Sequence, residues 1–100
     1  AEQKNSKIDV NNIIKEVGAY YDVSVADILS KKRKKNIAYA RQVAMFLTRE
    51  LTGSSFPKIG EAFSGRDHTT IMHGCEKIEK ELKESAELKK AINDLKQALS

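Results

Sequence analysis

Apolar residues recur every three to four positions through most of the chain, the period of helices with one buried face. Val10, Ile13, Ile14, Val17 and Tyr20 or Tyr21 share one face of a helix over about 9–22, with Asp9 placed to cap it. A short helix over about 24–30 starts on Ser24 and is predicted to bury Val25, Ile28 and Leu29. A long helix over about 37–52 turns Ala40, Val43, Ala44, Leu47 and Leu51 inward, while Arg41, Met45 and Arg49 line another face. Gly53 ends it. Ser54 or Ser55 caps a fourth helix over about 55–63, with Pro57 in its first turn and Ile59, Ala62 and Phe63 inward. Ser64, Gly65 and Arg66 make a tight turn, and a fifth helix over about 67–83 buries Ile71, Cys75, Ile78 and Leu82. A sixth over about 86–99, capped by Ser85, buries Leu88, Ile92, Leu95 and Leu99.

This pattern predicts an all-α fold of about six helices. Strand patterning is absent, and one Pro and five Gly are too few to punctuate a β architecture. Residues 1–7 are polar and read as a linker or frayed N-terminal end, and 8–100 as one helical domain. The short helix, glycine-containing turn and longer helix of 55–63 and 67–83 have the spacing of a helix-turn-helix. The near-heptad leucines of the last helix admit a dimer seam, but two heptads are short for a coiled coil, so core closure is the expectation.

Charge sharpens the picture. The net charge is +4, but residues 31–73 hold nine Lys/Arg against three Asp/Glu, while 1–30 are net acidic and 74–100 balanced. The basic run KKRKKN at 31–36 is too charged to pack and reads as an exposed loop. A basic patch of this kind points to a polyanion. No apolar run approaches membrane-spanning length and no signal peptide is evident, and a lone cysteine suits a reducing cytoplasm. The single Cys75 forms no internal disulfide and leaves too few soft ligands for structural zinc.

The candidate chemistry lies at the start of the fifth helix. Asp67, His68, Thr69 and Thr70 stand where the recognition helix of a helix-turn-helix meets base edges. A carboxylate accepts from a cytosine amino group, and threonine offers a methyl to thymine and a hydroxyl to base or phosphate. Asp67 also suits a helix cap, and it serves both tasks only if its two oxygens divide them. An enzyme is not expected. His68 and His73 are five apart, so they do not present one metal as an i, i+4 pair does, and no phosphate-binding Gly-Lys-Ser/Thr motif occurs. A basic helical module for acidic lipid or protein fits the basic loop but not the polar helix start. RNA fits less well, because side chains do not read the deep A-form groove.

The segments DILSKKRKKNIAYARQ, ARQVAMFLTRELT, SFPKIGEAFSGRDHTT and GRDHTTIMHGCEKI resemble the DNA-binding domain of the bacterial DnaA replication initiators. The resemblance is good over about 20–85, and its histidine-threonine motif is specific. It implies binding to duplex DnaA boxes at the replication origin, in the bacterial cytoplasm and nucleoid. It implies major-groove reading by Asp67, His68, Thr69 and Thr70, and an arginine, here Arg33, in the minor groove; Lys31, Lys32, Lys34 and Lys35 of the same loop are expected to add mainly electrostatic, salt-sensitive affinity. It also implies backbone contacts from Arg41, Gln42 and Arg49, and from Phe56, Pro57 and Lys58 before the fourth helix, with Arg66 either touching DNA or bracing the turn. No cofactor is expected on this stretch, since ATP belongs to an ATPase domain upstream in the rest of the initiator. A monomer is expected, because the sites are not obligate palindromes, and acidic phospholipid and regulatory proteins are further expected partners. The chain departs from the family in having Tyr39-Ala40 for Arg-Pro, Ser64 for a second glycine and Gly74 where alanine is frequent.

Overall fold

The computed structural model describes residues 8–100, so the expectation for residues 1–7 lies outside the described residues. Six helices follow in order: α1 (Val10–Tyr21), α2 (Val25–Leu29), α3 (Lys35–Thr52), α4 (Phe56–Ala62), α5 (His68–Leu82) and α6 (Ala86–Leu99). Five of them begin at a side-chain cap: Asp9, Ser24, Ser55, Asp67 and Ser85 each accept a hydrogen bond from a first-turn N–H. This pairing satisfies a donor that the helix itself leaves open. Lys34 offers α3 no such cap, and Gly53 closes that helix in the left-handed conformation at φ 68°.

Helix α3 is the axis of the molecule. It packs most extensively on α5 and α1, and also on α2 and α4; α6 closes against α1 and α5. A helix enclosed by four neighbours needs apolar surface on most of its circumference. That explains two departures from the sequence reading. Met45, expected off the buried face, is 2% exposed, and Arg41 is only 6% exposed. Two other expectations also change. Helix α3 starts at Lys35, so Lys35 and Asn36 belong to helix rather than loop. Val25, expected in the core, is 42% exposed because it stands at the start of a five-residue helix whose inward positions are Ile28 and, in part, Leu29.

Leu88, Ile92, Leu95 and Leu99 of α6 are all buried within this chain, so its leucine stripe closes the core rather than offering a dimer seam. Gly74 has a packing reason to stand in α5. A Cβ there would lie 3.3 Å from Met45 Sδ and 3.4 Å from Gln42 Cγ, so the missing methyl lets α5 sit close on α3.

Tyrosines seal the α1–α3–α6 corner. Tyr21 meets Tyr39 edge-on at 5.6 Å, and Tyr39 Oη donates to Glu81 Oε2 at 2.9 Å. Burial, reinforced by nearby Tyr20, Glu81 and Glu87, pushes the Tyr21 pKa up to about 12. Burial and the bond to Glu81 raise Tyr39 as well. The unfolded chain releases these protons near pH 10 while the folded chain keeps them, so stability is full below pH 10 and falls as pH rises toward 12. Urea unfolding at about pH 9 and about pH 11 is expected to show a lower midpoint at the higher pH. Tyr39→Phe, which has no proton to lose, should show a smaller drop; an equal drop would assign the effect to other groups.

Candidate nucleic-acid interface

The helix-turn-helix is formed by α4 and α5 and the turn at 63–67. Phe63, fully buried, anchors the end of α4. Ser64 and Gly65 then take positive φ values of 66° and 75°, which reverse the chain in a minimum of residues. Gly65 adopts this without cost, whereas Ser64 offsets its strain by donating its hydroxyl to Leu29 O at 2.7 Å. Arg66 N–H returns to Gly60 O at 2.9 Å. The carbonyl of Arg66 lies against Gly60 Cα, where a Cβ would collide with it. Gly60 therefore sets how closely the turn folds onto α4, a role the sequence reading did not assign.

The first turn of α5 presents the expected polar set. Asp67 Oδ2 accepts from Thr69 N–H at 3.1 Å, while Oδ1 has no hydrogen-bond donor among the described residues and lies 3.7 Å from His68 Nδ1. One oxygen is thus occupied by the cap, and the other is left without a donor among the described residues. His68 and Thr70 are exposed and Thr69 half-buried, and the side chains of both threonines have no hydrogen-bond partner among the described residues. The free N–H groups of this turn add a positive dipole end.

The basic loop faces this helix start. Lys31, Arg33, Arg41, Gln42, Ser64, Gly65, Arg66 and Thr70 line one open groove of about 570 Å³. Arg33, Lys35 and Gln42 continue into an adjoining groove of about 530 Å³ that also takes in Lys77. Lys31, Arg33, Lys34, Lys35 and Lys77 have no ion-pair partner among the described residues, whereas Lys32 is held by Asp27 at 2.8 Å. Unpaired cations beside unpaired hydroxyls leave both charge and hydrogen-bonding capacity open to a ligand. Lys77 went unnoticed in the sequence. Its signal was there, since it follows Thr70 by seven residues, two turns on the same helix face.

Other expected residues are placed differently. Arg41 was expected to reach phosphate from a helix start, yet it is the seventh residue of α3. Its guanidinium donates to Ile28 O at 2.6 Å, Asp27 O at 3.0 Å and Ser30 O at 2.9 Å. Arg66 braces the turn through Phe63 O at 3.1 Å and Ser30 O at 2.6 Å. Burial lowers both guanidinium pKa values, and Arg66 lowers that of Arg41 further. Arg49 lies away from the groove. Its guanidinium stacks 4.3 Å over the Phe56 ring and donates to Ser54 O at 2.8 Å, orienting the start of α4. Glu50, Glu76 and Glu79 share its hollow. Pro57 and Lys58 are exposed at the first turn of α4, with no ion-pair partner for Lys58 among the described residues.

Comparison with known proteins agrees with this architecture. A solved structure of a DNA replication initiation factor superposes with a TM-score of 0.80 at 36% identity, covering 93% of this chain. The chain spans 29% of the length of that relative. The profile described as "Bacterial dnaA protein helix-turn-helix" matches residues 10–78, from the start of α1 to about one turn before the end of α5. The chain belongs to the family of bacterial DnaA helix-turn-helix domains.

Proposed function

We propose that this domain binds duplex DNA sequence-specifically at DnaA boxes, and so serves the initiation of chromosomal replication at a bacterial origin. DNA binding in replication initiation is what the family and the solved relative support. The observation that carries the finer reading is the single groove in which Lys31 and Arg33 face Thr70. A helix-turn-helix whose polar first turn stands beside a basic loop suits two adjacent grooves of one duplex.

In this reading Asp67, His68, Thr69 and Thr70 read base edges in the major groove. Arg33 enters the neighbouring minor groove, where a narrow A·T-rich segment concentrates negative potential. Lys31, Lys34, Lys35, Gln42 and Lys58 hold phosphates, with Phe56 and Pro57 shaping the approach of α4. Arg49, stacked on the Phe56 ring, orients the start of α4. Arg41 and Arg66, already committed to carbonyls, support rather than grip. One domain occupies one site as a monomer in the bacterial cytoplasm, and ATP binds elsewhere in the full initiator. This stretch takes no cofactor and performs no catalysis.

Acidic lipid remains a partner that charge alone would attract. The large apolar side chains standing exposed among the described residues are Tyr20 and Val25, far short of the broad apolar face a membrane-surface helix uses. Base order separates the readings. Binding to a fluorescent DnaA-box duplex and its scrambled twin is measured across a salt series. A preference for the box that persists as salt rises is expected; equal affinities that vanish together with salt would reduce the domain to a general polyanion binder.

A further inference from the structure

Helix α2 is too short to satisfy its own end. A five-residue helix leaves its last carbonyls without intrahelical donors, and they form a negative dipole end. Here the carbonyls of residues 27 to 30 all find donors, most of them from other elements. Asp27 O accepts from Ser30 Oγ at 2.7 Å and Arg41 Nη2 at 3.0 Å, and Ile28 O from Arg41 Nε at 2.6 Å. Leu29 O accepts from Ser64 Oγ at 2.7 Å. Ser30 O receives two guanidinium donors, Arg41 Nη2 at 2.9 Å and Arg66 Nη2 at 2.6 Å. The basic loop begins at the next residue, Lys31.

We infer that Arg66, together with Arg41 and Ser64, is a positioning residue that ties the root of the basic loop to the helix-turn-helix, so that the loop and the start of α5 meet DNA in one register. Ser64 and Arg66 belong to the turn that aims α5, and Arg41 to the helix beneath it. All three end on the four residues from which the loop springs. The loop itself, residues 31–34, carries no helix and few internal bonds, Lys32 apart. Its direction is therefore decided at its two ends: α3 at one and this carbonyl cluster at the other. Charge-assisted bonds from a planar fork are short and directional, which suits a brace better than the point charge of lysine. The inference rests on the DnaA-box reading for its functional consequence, though not for its structural one.

The test is Arg66→Lys, which keeps the charge and removes the fork, alone and combined with Arg33→Ala. Affinities are measured on box and scrambled duplexes across salt, and amide exchange is followed at residues 31–34. The expected result is about a tenfold loss on the box with little change on the scrambled duplex or the salt slope, and faster exchange in the loop. With Arg33 already removed, the loss should shrink to about twofold or less, because the brace acts through that arginine. Losses that simply add, a parallel loss on both duplexes, or an unchanged loop would overturn the inference in favour of direct phosphate contact or mere packing. Should Arg66→Lys not fold, Ser64→Ala decides through the exchange measurement alone, since it removes only the bond to Leu29 O. Failure of the parent chain to prefer the box would sink the box reading, and loop exchange would still judge the brace.

Discussion

Gly60→Ala is expected to destabilise the domain by about 3 kcal/mol, a large share of the roughly 5–15 kcal/mol that holds a domain of this kind together. Two effects oppose each other at this position. Alanine is the better helix former by about 1 kcal/mol, and α4 is short enough to benefit. Against that, the new Cβ runs into the carbonyl of Arg66, a backbone atom that no rotamer change can withdraw. That carbonyl belongs to the turn whose N–H is bonded to Gly60 O at 2.9 Å, so relief requires the turn to lift from α4 and break the bond. The clash wins. Gly65→Ala is the control: its φ of 75° is strained for alanine, but nothing lies within 4 Å of the added methyl. Its cost should be about 1–2 kcal/mol. Urea unfolding of both variants reads the difference as midpoint shifts at constant slope. A Gly60→Ala midpoint within about 1 kcal/mol of the parent would show that the turn relaxes freely and that Gly60 is not what sets its closeness.

His68→Ala or Thr69→Ala is expected to flatten discrimination between a DnaA box and a scrambled duplex, by about 1–3 kcal/mol for each lost base contact. The cost to folding should be small, because His68 is exposed and Thr69 is only half-buried, with a hydroxyl that has no hydrogen-bond partner among the described residues. Lys34→Ala makes the opposite case. Lys34 stands exposed in the basic loop with no ion-pair partner among the described residues, so its loss should weaken both duplexes alike and lower the salt slope by about one phosphate contact. The pair of results separates reading from holding within one binding surface. If His68→Ala weakened both duplexes equally, α5 would be gripping the backbone, and base reading would have to come from elsewhere.

The parts of this fold that were legible in the chain are those whose cause is local. The caps illustrate it. Asp9, Ser24, Asp67 and Ser85 were read as helix starts and are found accepting first-turn N–H groups, and of Ser54 and Ser55 the second does so. Each depends on three or four consecutive residues, within which geometry leaves little choice. The apolar faces of α1, α5 and α6 were equally legible, because each has one side to bury and a clear period. The polar first turn of α5 was visible as residues out of character for a packing helix, and Asp67, His68 and Thr70 are indeed exposed, with Thr69 half-buried.

The arginines show what was not legible. Arg41 and Arg66 carry the same charge as Arg33 and stand in equally basic neighbourhoods, yet two of the three are occupied by protein carbonyls. Sequence patterning reports that a guanidinium exists; it does not report which oxygens lie within reach across a gap of 11 or 36 residues. Val25 and Met45 fail for a related reason. Whether a position on a helix is inside depends on which neighbours flank it, and α3 has more of them than its own periodicity reveals.

The chain by itself determined the helices, their caps, the glycine turn, the basic stretch and the polar start of α5, because propensity, capping and charge act over a few bonds. Only the tertiary structure decided which cations remain free for a polyanion and which brace the frame, where α3 is buried, and that the basic loop opens onto the same groove as Thr70. Those outcomes depend on distances between residues far apart in the chain, and such distances exist only once the helices have packed.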